Sequence, residues 1–179
     1  MSIITKRGDE GATDLLFGKR ITKTSLRIEA LGAVDELNAA LGLARALGLH
    51  KEWEAIVDRI QERLVAAMGL LATLCEDADR YRTAGYAAIQ DDDVIWLETA
   101  AQAMEARGVR FTDWARPGAE GAIGAAALDM ARSIARRAER SVWCLHESGE
   151  VVDECVRLFF NRLSDLLWIL ARVEEKPAI

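Results

Sequence analysis

From Thr24 onward the apolar residues of the chain recur three or four positions apart, the period of one helix face. The first stripe is Leu31, Val34, Leu37, Leu41 and Ala44, with Gly48 as its stop. The second runs through Trp53, Ile56, Ile60, Leu64, Ala67, Leu71 and Leu74. Residues 76–90 break the pattern and predict a loop. A third helix is expected behind Asp91-Asp92-Asp93, where carboxylates suit the positive end of the helix dipole, with Val94, Leu97, Ala101 and Met104 as its stripe. Gly108 to Glu120 holds Pro117-Gly118 and predicts a second loop. The fourth stripe is Leu128, Ala131, Ala135, Ala138, Val142 and Leu145; after Ser148-Gly149 the fifth is Val152, Val156, Phe159, Leu163, Leu166, Leu170 and Val173. No useful strand-like alternation occurs. The expectation is an all-α, five-helix antiparallel bundle. It forms one domain over residues 1–179, with a distinct segment at 1–24 and the bundle at 25–176.

Composition narrows the chemistry. A chain of 179 residues, 51% hydrophobic, can bury roughly 70% of its unfolded surface and needs no disulfide or structural metal. Its net charge of −6, from 29 acids against 23 bases, argues against a nucleic-acid partner. Three cysteines and two histidines, with no C-x-x-C or H-E-x-x-H spacing, leave no metal site and little room for a nucleophilic triad. The thiols of Cys75, Cys144 and Cys155 are expected to be buried, in a reducing compartment. The opening MSIITKRGDEG lacks an apolar signal core, and no stretch approaches ~20 apolar residues. A cytoplasmic location without membrane contact follows as the expectation.

Three polar constellations stand out from the stripes. Residues Thr5 to Arg20 gather Gly8, Gly11 and Gly18 with Lys6, Arg7, Lys19 and Arg20. Glycines let backbone N–H groups converge on an anion, yet the spacing is not that of a Walker loop, and a flexible basic terminus accounts for the composition equally well. On the fourth helix Arg132, Arg136 and Arg140 stand four apart, beside Arg137 and Glu139. Residues four apart share a face, and like charges there repel unless acids or a polyanion offset them. Asp35 and Asp165 are the candidate acids. Asn161-Arg162-Leu163-Ser164-Asp165, amid Phe159, Phe160 and Trp168, reads as an interhelical hydrogen-bond set or a ligand contact.

Taken in order, these pieces resemble the PduO-type ATP:cob(I)alamin adenosyltransferases. The family's T-K-T-G-D-x-G-x-T is matched by Thr5 to Thr13, its G-x-R and Lys by Gly18-Lys19-Arg20 and Lys23, and its V-D-E-L-N by Val34 to Asn38. Its A-R-x-x-x-R-R-A-E-R corresponds to Ala131-Arg132 and Arg136 to Arg140, and N-R-L-S-D is intact at Asn161 to Asp165. The resemblance implies a homotrimer that binds ATP and Mg²⁺ at subunit interfaces and transfers the 5′-deoxyadenosyl group to reduced cobalamin. It also implies a supplying reductase, or a consuming adenosylcobalamin-dependent enzyme, as partner. By that resemblance Thr5, Lys6, Arg7, Gly8, Thr13, Asp14 and Lys23 wrap the triphosphate. Arg136, Arg137, Glu139, Arg140 and Asn161 complete the nucleotide site, Arg132 pairs with Asp35 of a neighbouring subunit, and Trp168 belongs to the corrinoid side. The departures lie there too. Trp114, in Trp114-Ala115-Arg116-Pro117-Gly118-Ala119, stands where the family's F-x-x-P-G-G places a ligand-displacing Phe, unless Phe111 takes the role. Arg7 replaces the usual Thr or Asn. The alternative function is a nucleotide-binding paralogue, a sensor or cobalamin escort without turnover.

Overall fold

A computed structural model describes residue 4 and residues 6–111 and 113–175. A two-stranded antiparallel hairpin opens it, β1 (Ala12–Asp14) pairing with β2 (Arg20–Thr22) in the register Thr13 to Ile21. Six helices follow: α1 (Leu26–Ala46), α2 (Lys51–Leu71), α3 (Ala78–Thr83), α4 (Asp91–Glu105), α5 (Ile123–Glu147) and α6 (Glu154–Glu174).

The helix ends follow local chemistry. Ser25 Oγ accepts the N–H of Ile28 at the start of α1, which satisfies one of the donors a helix N-terminus leaves free. Between α1 and α2 the chain turns through Gly48 at φ +90°, a conformation that suits glycine. The cap of α4 is Gln90, not an aspartate. Its backbone N–H donates to Asp93 Oδ2 at 3.0 Å, a reciprocal capping box, while the acidic triplet occupies the first turn.

Two elements depart from the sequence expectation. Residues 76–90 hold α3, so the described residues carry six helices, five long and one short. Six residues give too few turns for a periodic stripe. Tyr81 of α3 is buried, donates its hydroxyl to Ala87 O at 2.6 Å, and packs so closely on Gly69 that a Cβ there would lie 2.4 Å from the phenol oxygen. The hairpin is likewise too short to show alternation. Helix α2 stops at Leu71, short of the expected Leu74, and just beyond it Thr73 turns its hydroxyl back onto Gly69 O at 2.9 Å.

The core is built from the predicted stripes. Helix α1 packs on α2 and α5, and α6 lies between α5 and α4. Leu37, Leu41, Leu64, Leu97, Leu128, Leu145, Phe159, Phe160 and Leu166 are fully buried. Cys75 and Cys144 are exposed and Cys155 is half-buried, which corrects the expectation of buried thiols. No described helix is long and apolar enough to cross a membrane.

Candidate functional site

The hairpin organises the N-terminal constellation. Turns close from Gly11 N to Gly8 O at 3.2 Å and from Lys23 N to Gly11 O at 2.9 Å. Lys6 and Gly11 both adopt positive φ. The Lys23 ammonium stands over Gly8, where a Cβ would meet Nζ at 2.9 Å, so glycine permits the approach. Asp14 Oδ1 takes Arg20 Nη1 at 2.9 Å and Arg7 Nη2 at 3.2 Å, and Arg20 Nη2 also donates to Arg7 O at 2.9 Å. Within the chain Asp14 therefore positions two arginines. Thr13 sits half-buried in β1. Leu16 N donates to Ala72 O, and Lys19 pairs with Glu76, docking the hairpin on the end of α2. The Glu76 carboxylate holds the Lys19 ammonium charged above its ordinary range. Thr5 lies outside the described residues.

The second constellation surrounds α5. Arg132 Nε lies 3.5 Å from Asp129 Oδ1, and Asp129 Oδ2 takes Arg172 Nη2 of α6 at 2.5 Å. Asp129 is only 3% exposed, so this carboxylate compensates two guanidiniums inside the bundle. Arg137 pairs with Glu36 of α1. Arg136 has no carboxylate within ion-pair distance among the described residues, and Arg140 donates only to the Arg136 carbonyl at 3.2 Å. Glu139 accepts from Asn161 Nδ2 at 3.0 Å, Asn161 Oδ1 from Arg162 Nη1 at 2.5 Å, and Arg162 Nε donates to Glu98 at 2.8 Å. That chain of polar contacts spans α5, α6 and α4. Partial desolvation pushes the Asp165 carboxyl up; Arg162 opposes the shift, Glu139 adds to it, and Arg136 opposes it.

Arg132, Arg136, Arg162 and Asp165 open onto a cavity of about 510 Å³ whose far side is Phe111 and Trp168, their ring centroids 5.7 Å apart. Trp168 also borders a neighbouring chamber of about 650 Å³ with Trp53 and Trp114. Trp114 is 81% exposed. Of the expected site residues, the fold thus brings Arg132, Arg136 and Trp168 to one cavity and joins Glu139 to Asn161. It brings none of Lys6, Arg7, Gly8 or Lys23 to that cavity, and leaves Asp35 exposed on α1 without a basic partner among the described residues. Asp129 and Arg27 went unnoticed in the sequence. Arg27 is 3% exposed and ties Leu71 O, Thr73 O and Glu150 together; its position three and four residues before Ala30 and Leu31, on the stripe side of α1, was the available signal.

The model of the cobalamin adenosyltransferase family matches residues 3–174. This chain belongs to the cobalamin adenosyltransferase family. It is 38% identical to the corrinoid adenosyltransferase of Bacillus subtilis over 177 residues, covering 97% of this chain and 86% of that one. It is 35% identical to the corrinoid adenosyltransferase PduO of Salmonella typhimurium over 181 residues, covering 99% of this chain and 51% of that protein. The chain thus spans about half the length of this PduO relative. Its fold superposes on a Phe-to-His variant of the PduO-type ATP:corrinoid adenosyltransferase of Lactobacillus reuteri, complexed with cobalamin and ATP, with a TM-score of 0.84 and 30% identity over 96% of this chain and 89% of that one.

Proposed function

We propose that the chain transfers the 5′-deoxyadenosyl group of ATP to a reduced corrinoid, giving adenosylcobalamin and triphosphate. The observation that carries this reading is the α5 cavity, where Arg136, without an ion-pair partner among the described residues, shares the lining with Phe111 and Trp168: cationic groups for a triphosphate beside aromatic surface for a macrocycle. Corrinoid adenosyltransferase is also the activity named for the relatives. Co(I) of the substrate is a strong nucleophile. Its electron pair attacks the ribose C5′, the C5′–O bond breaks, and that bond's electrons leave with the triphosphate while cobalt becomes an alkyl-Co(III). No proton is removed, so the absence of a histidine base is no handicap. The protein aligns the attack and stabilises charge on the leaving group, roles that suit Arg136, Arg140, Lys6 and Lys23 with the turn N–H groups around Gly8.

A homotrimer with ATP at subunit boundaries is part of the proposal. In its support, the hairpin residues line no part of the α5 cavity within one chain, and exposed Asp35 has no basic partner among the described residues. Mg²⁺ enters as an ion carried by the triphosphate: among the described residues no three His, Cys, Asp or Glu side chains converge, which fits binding mainly by phosphate oxygens and water. Three free thiols fit a reducing, cytoplasmic setting, where a reductase would supply Co(I) and an adenosylcobalamin-dependent enzyme would use the product. No observation favours a sensor or escort without turnover.

The test is direct. Protein, Mg-ATP and chemically reduced cobalamin should yield a light-sensitive cobalt–carbon product with the adenosylcobalamin spectrum and one equivalent of triphosphate. Unchanged Co(I) and intact ATP would refute the activity.

A further inference from the structure

The chamber on the other side of Trp168 has a composition that adenosyl transfer alone does not require. Three tryptophans, Trp53, Trp114 and Trp168, share its lining with Arg107, Arg110 and Arg172 and with the carboxylates of Asp113, Glu120 and Glu175, in about 650 Å³, a volume suited to a ligand of nucleotide size. Its walls also hold donors that nothing satisfies. Trp53 is 3% exposed and its Nε1–H meets no acceptor among the described residues; Nε and Nη1 of Arg172 are likewise buried without one there. Buried polar hydrogens normally find partners, because an unmade bond forfeits the hydration given up on burial. Arg110 donates only to the carbonyls of Glu105 and Val109, and no carboxylate lies within ion-pair distance of it among the described residues. The place therefore offers aromatic faces, spare N–H groups and one uncompensated cation, the features that receive an aromatic base bearing a phosphodiester.

Trp168 connects this chamber to the α5 cavity, since it lines both. On the corrinoid reading of that cavity, we propose that the tryptophan chamber takes up the nucleotide arm of cobalamin once the lower axial base has left cobalt. Cobalamin carries on that arm a benzimidazole, a ribose and one phosphodiester. The base meets the exposed indole of Trp114 beside Trp168, while Trp53, its ring covered by Arg107, contributes its N–H, and the phosphodiester meets Arg110. The chamber thereby makes the enzyme selective for complete corrinoids over those lacking the arm, such as cobinamide. It also keeps the released base away from cobalt.

The inference rests on the proposed transfer, and the assay separates the two. Steady-state kinetics with saturating Mg-ATP and chemically reduced Co(I) corrinoids, which need no axial displacement, compare cobalamin with cobinamide. The expected KM for cobinamide is at least about tenfold higher, with kcat similar for both, because the arm binds equally in ground and transition states. Arg110→Gln, on the surface, should shrink the KM ratio about fivefold or more by raising the cobalamin KM. Trp53→Phe, which removes the N–H and keeps an aromatic ring, should shrink it in the same direction. A wild-type ratio within twofold of one, or a ratio that Arg110→Gln leaves intact, overturns the chamber while leaving adenosyl transfer standing. No turnover of either corrinoid overturns both.

Discussion

Replacing Arg136 by alanine separates a binding role from a structural one. In the folded chain this guanidinium has no carboxylate within ion-pair distance among the described residues, and only its backbone carbonyl is used, accepting from Arg140 at 3.2 Å. The side chain lies exposed on α5. Truncation should therefore change stability by no more than about 0.5 kcal/mol, or less than about 2 °C in Tm for a chain of this length. Against a triphosphate the arithmetic differs. One charge-assisted contact is worth about 1.5–3 kcal/mol, and at about 1.4 kcal/mol per decade the ATP dissociation constant should rise about ten- to 150-fold. Titration calorimetry with Mg-ATP measures this, and a thermal melt of the same sample controls for folding. An unchanged ATP affinity would refute the placement of the arginine row at the nucleotide. A large loss of Tm would show that Arg136 is needed by the bundle itself.

Asp129→Asn should leave Arg172 and Arg132 without their shared buried carboxylate and cost about 3 kcal/mol, lowering Tm by about 6–12 °C; a change under about 1 °C would mean that Glu175, 2.9 Å from Arg172, suffices. Phe111→Ala should spare ATP binding and remove the four-coordinate signal of Co(II)alamin in electron paramagnetic resonance, because Phe111 lines the α5 cavity and meets Trp168 at 5.7 Å; an undiminished signal assigns the wall to Trp114. Partial desolvation holds the Asp165 carboxyl above its ordinary range, so the folded chain takes up a proton more readily than the unfolded one, and stability should fall as pH rises from the ordinary carboxylate pKa through the raised one. Asp165→Asn should flatten that part of the urea-midpoint profile, and a profile identical to wild type would show that the native carboxyl is not perturbed.

What was legible in the sequence depended on how many residues carried each signal. Each long helix repeats its stripe over several turns, and the buried sets of α1, α2, α4, α5 and α6 follow those stripes. Helix α3 and the hairpin have too few residues to repeat anything; they form because Tyr81 finds Gly69 and Leu16 finds Ala72, both partners distant in sequence. The arginine row was visible at its four-residue spacing. The neutralisation of its first member was not, since Asp129 is only three residues before Arg132 but is buried by α6, which brings Arg172 from 43 residues away. Likewise Arg27 reaches Glu150 across 123 residues, a pairing that no local period encodes. The spare N–H of Trp53 belongs to the same class, because its position on the stripe predicts burial but not what surrounds the indole nitrogen.

The excess of arginine over lysine, 18 against 5, could reflect a genome's base composition as readily as chemistry. The fold separates the two explanations. Most arginines are consumed internally, by carboxylates as at Arg27, Arg63, Arg137 and Arg172, or by ring faces as at Arg59 over Trp96, Arg80 over Phe17 and Arg157 over Trp143. Among the described residues Arg110, Arg116, Arg136 and Arg140 have neither an ion-pair partner nor a ring. A random excess would scatter such residues over the surface. Instead two fall on the α5 row and two on the segment carrying Phe111 and Trp114, and one of each pair, Arg136 and Arg110, lines a cavity that Trp168 borders. Uncompensated guanidiniums repel one another and gain from an anion shared between them. Their clustering around aromatic walls matches a substrate pair that brings a triphosphate, a macrocycle and one phosphodiester to the same place.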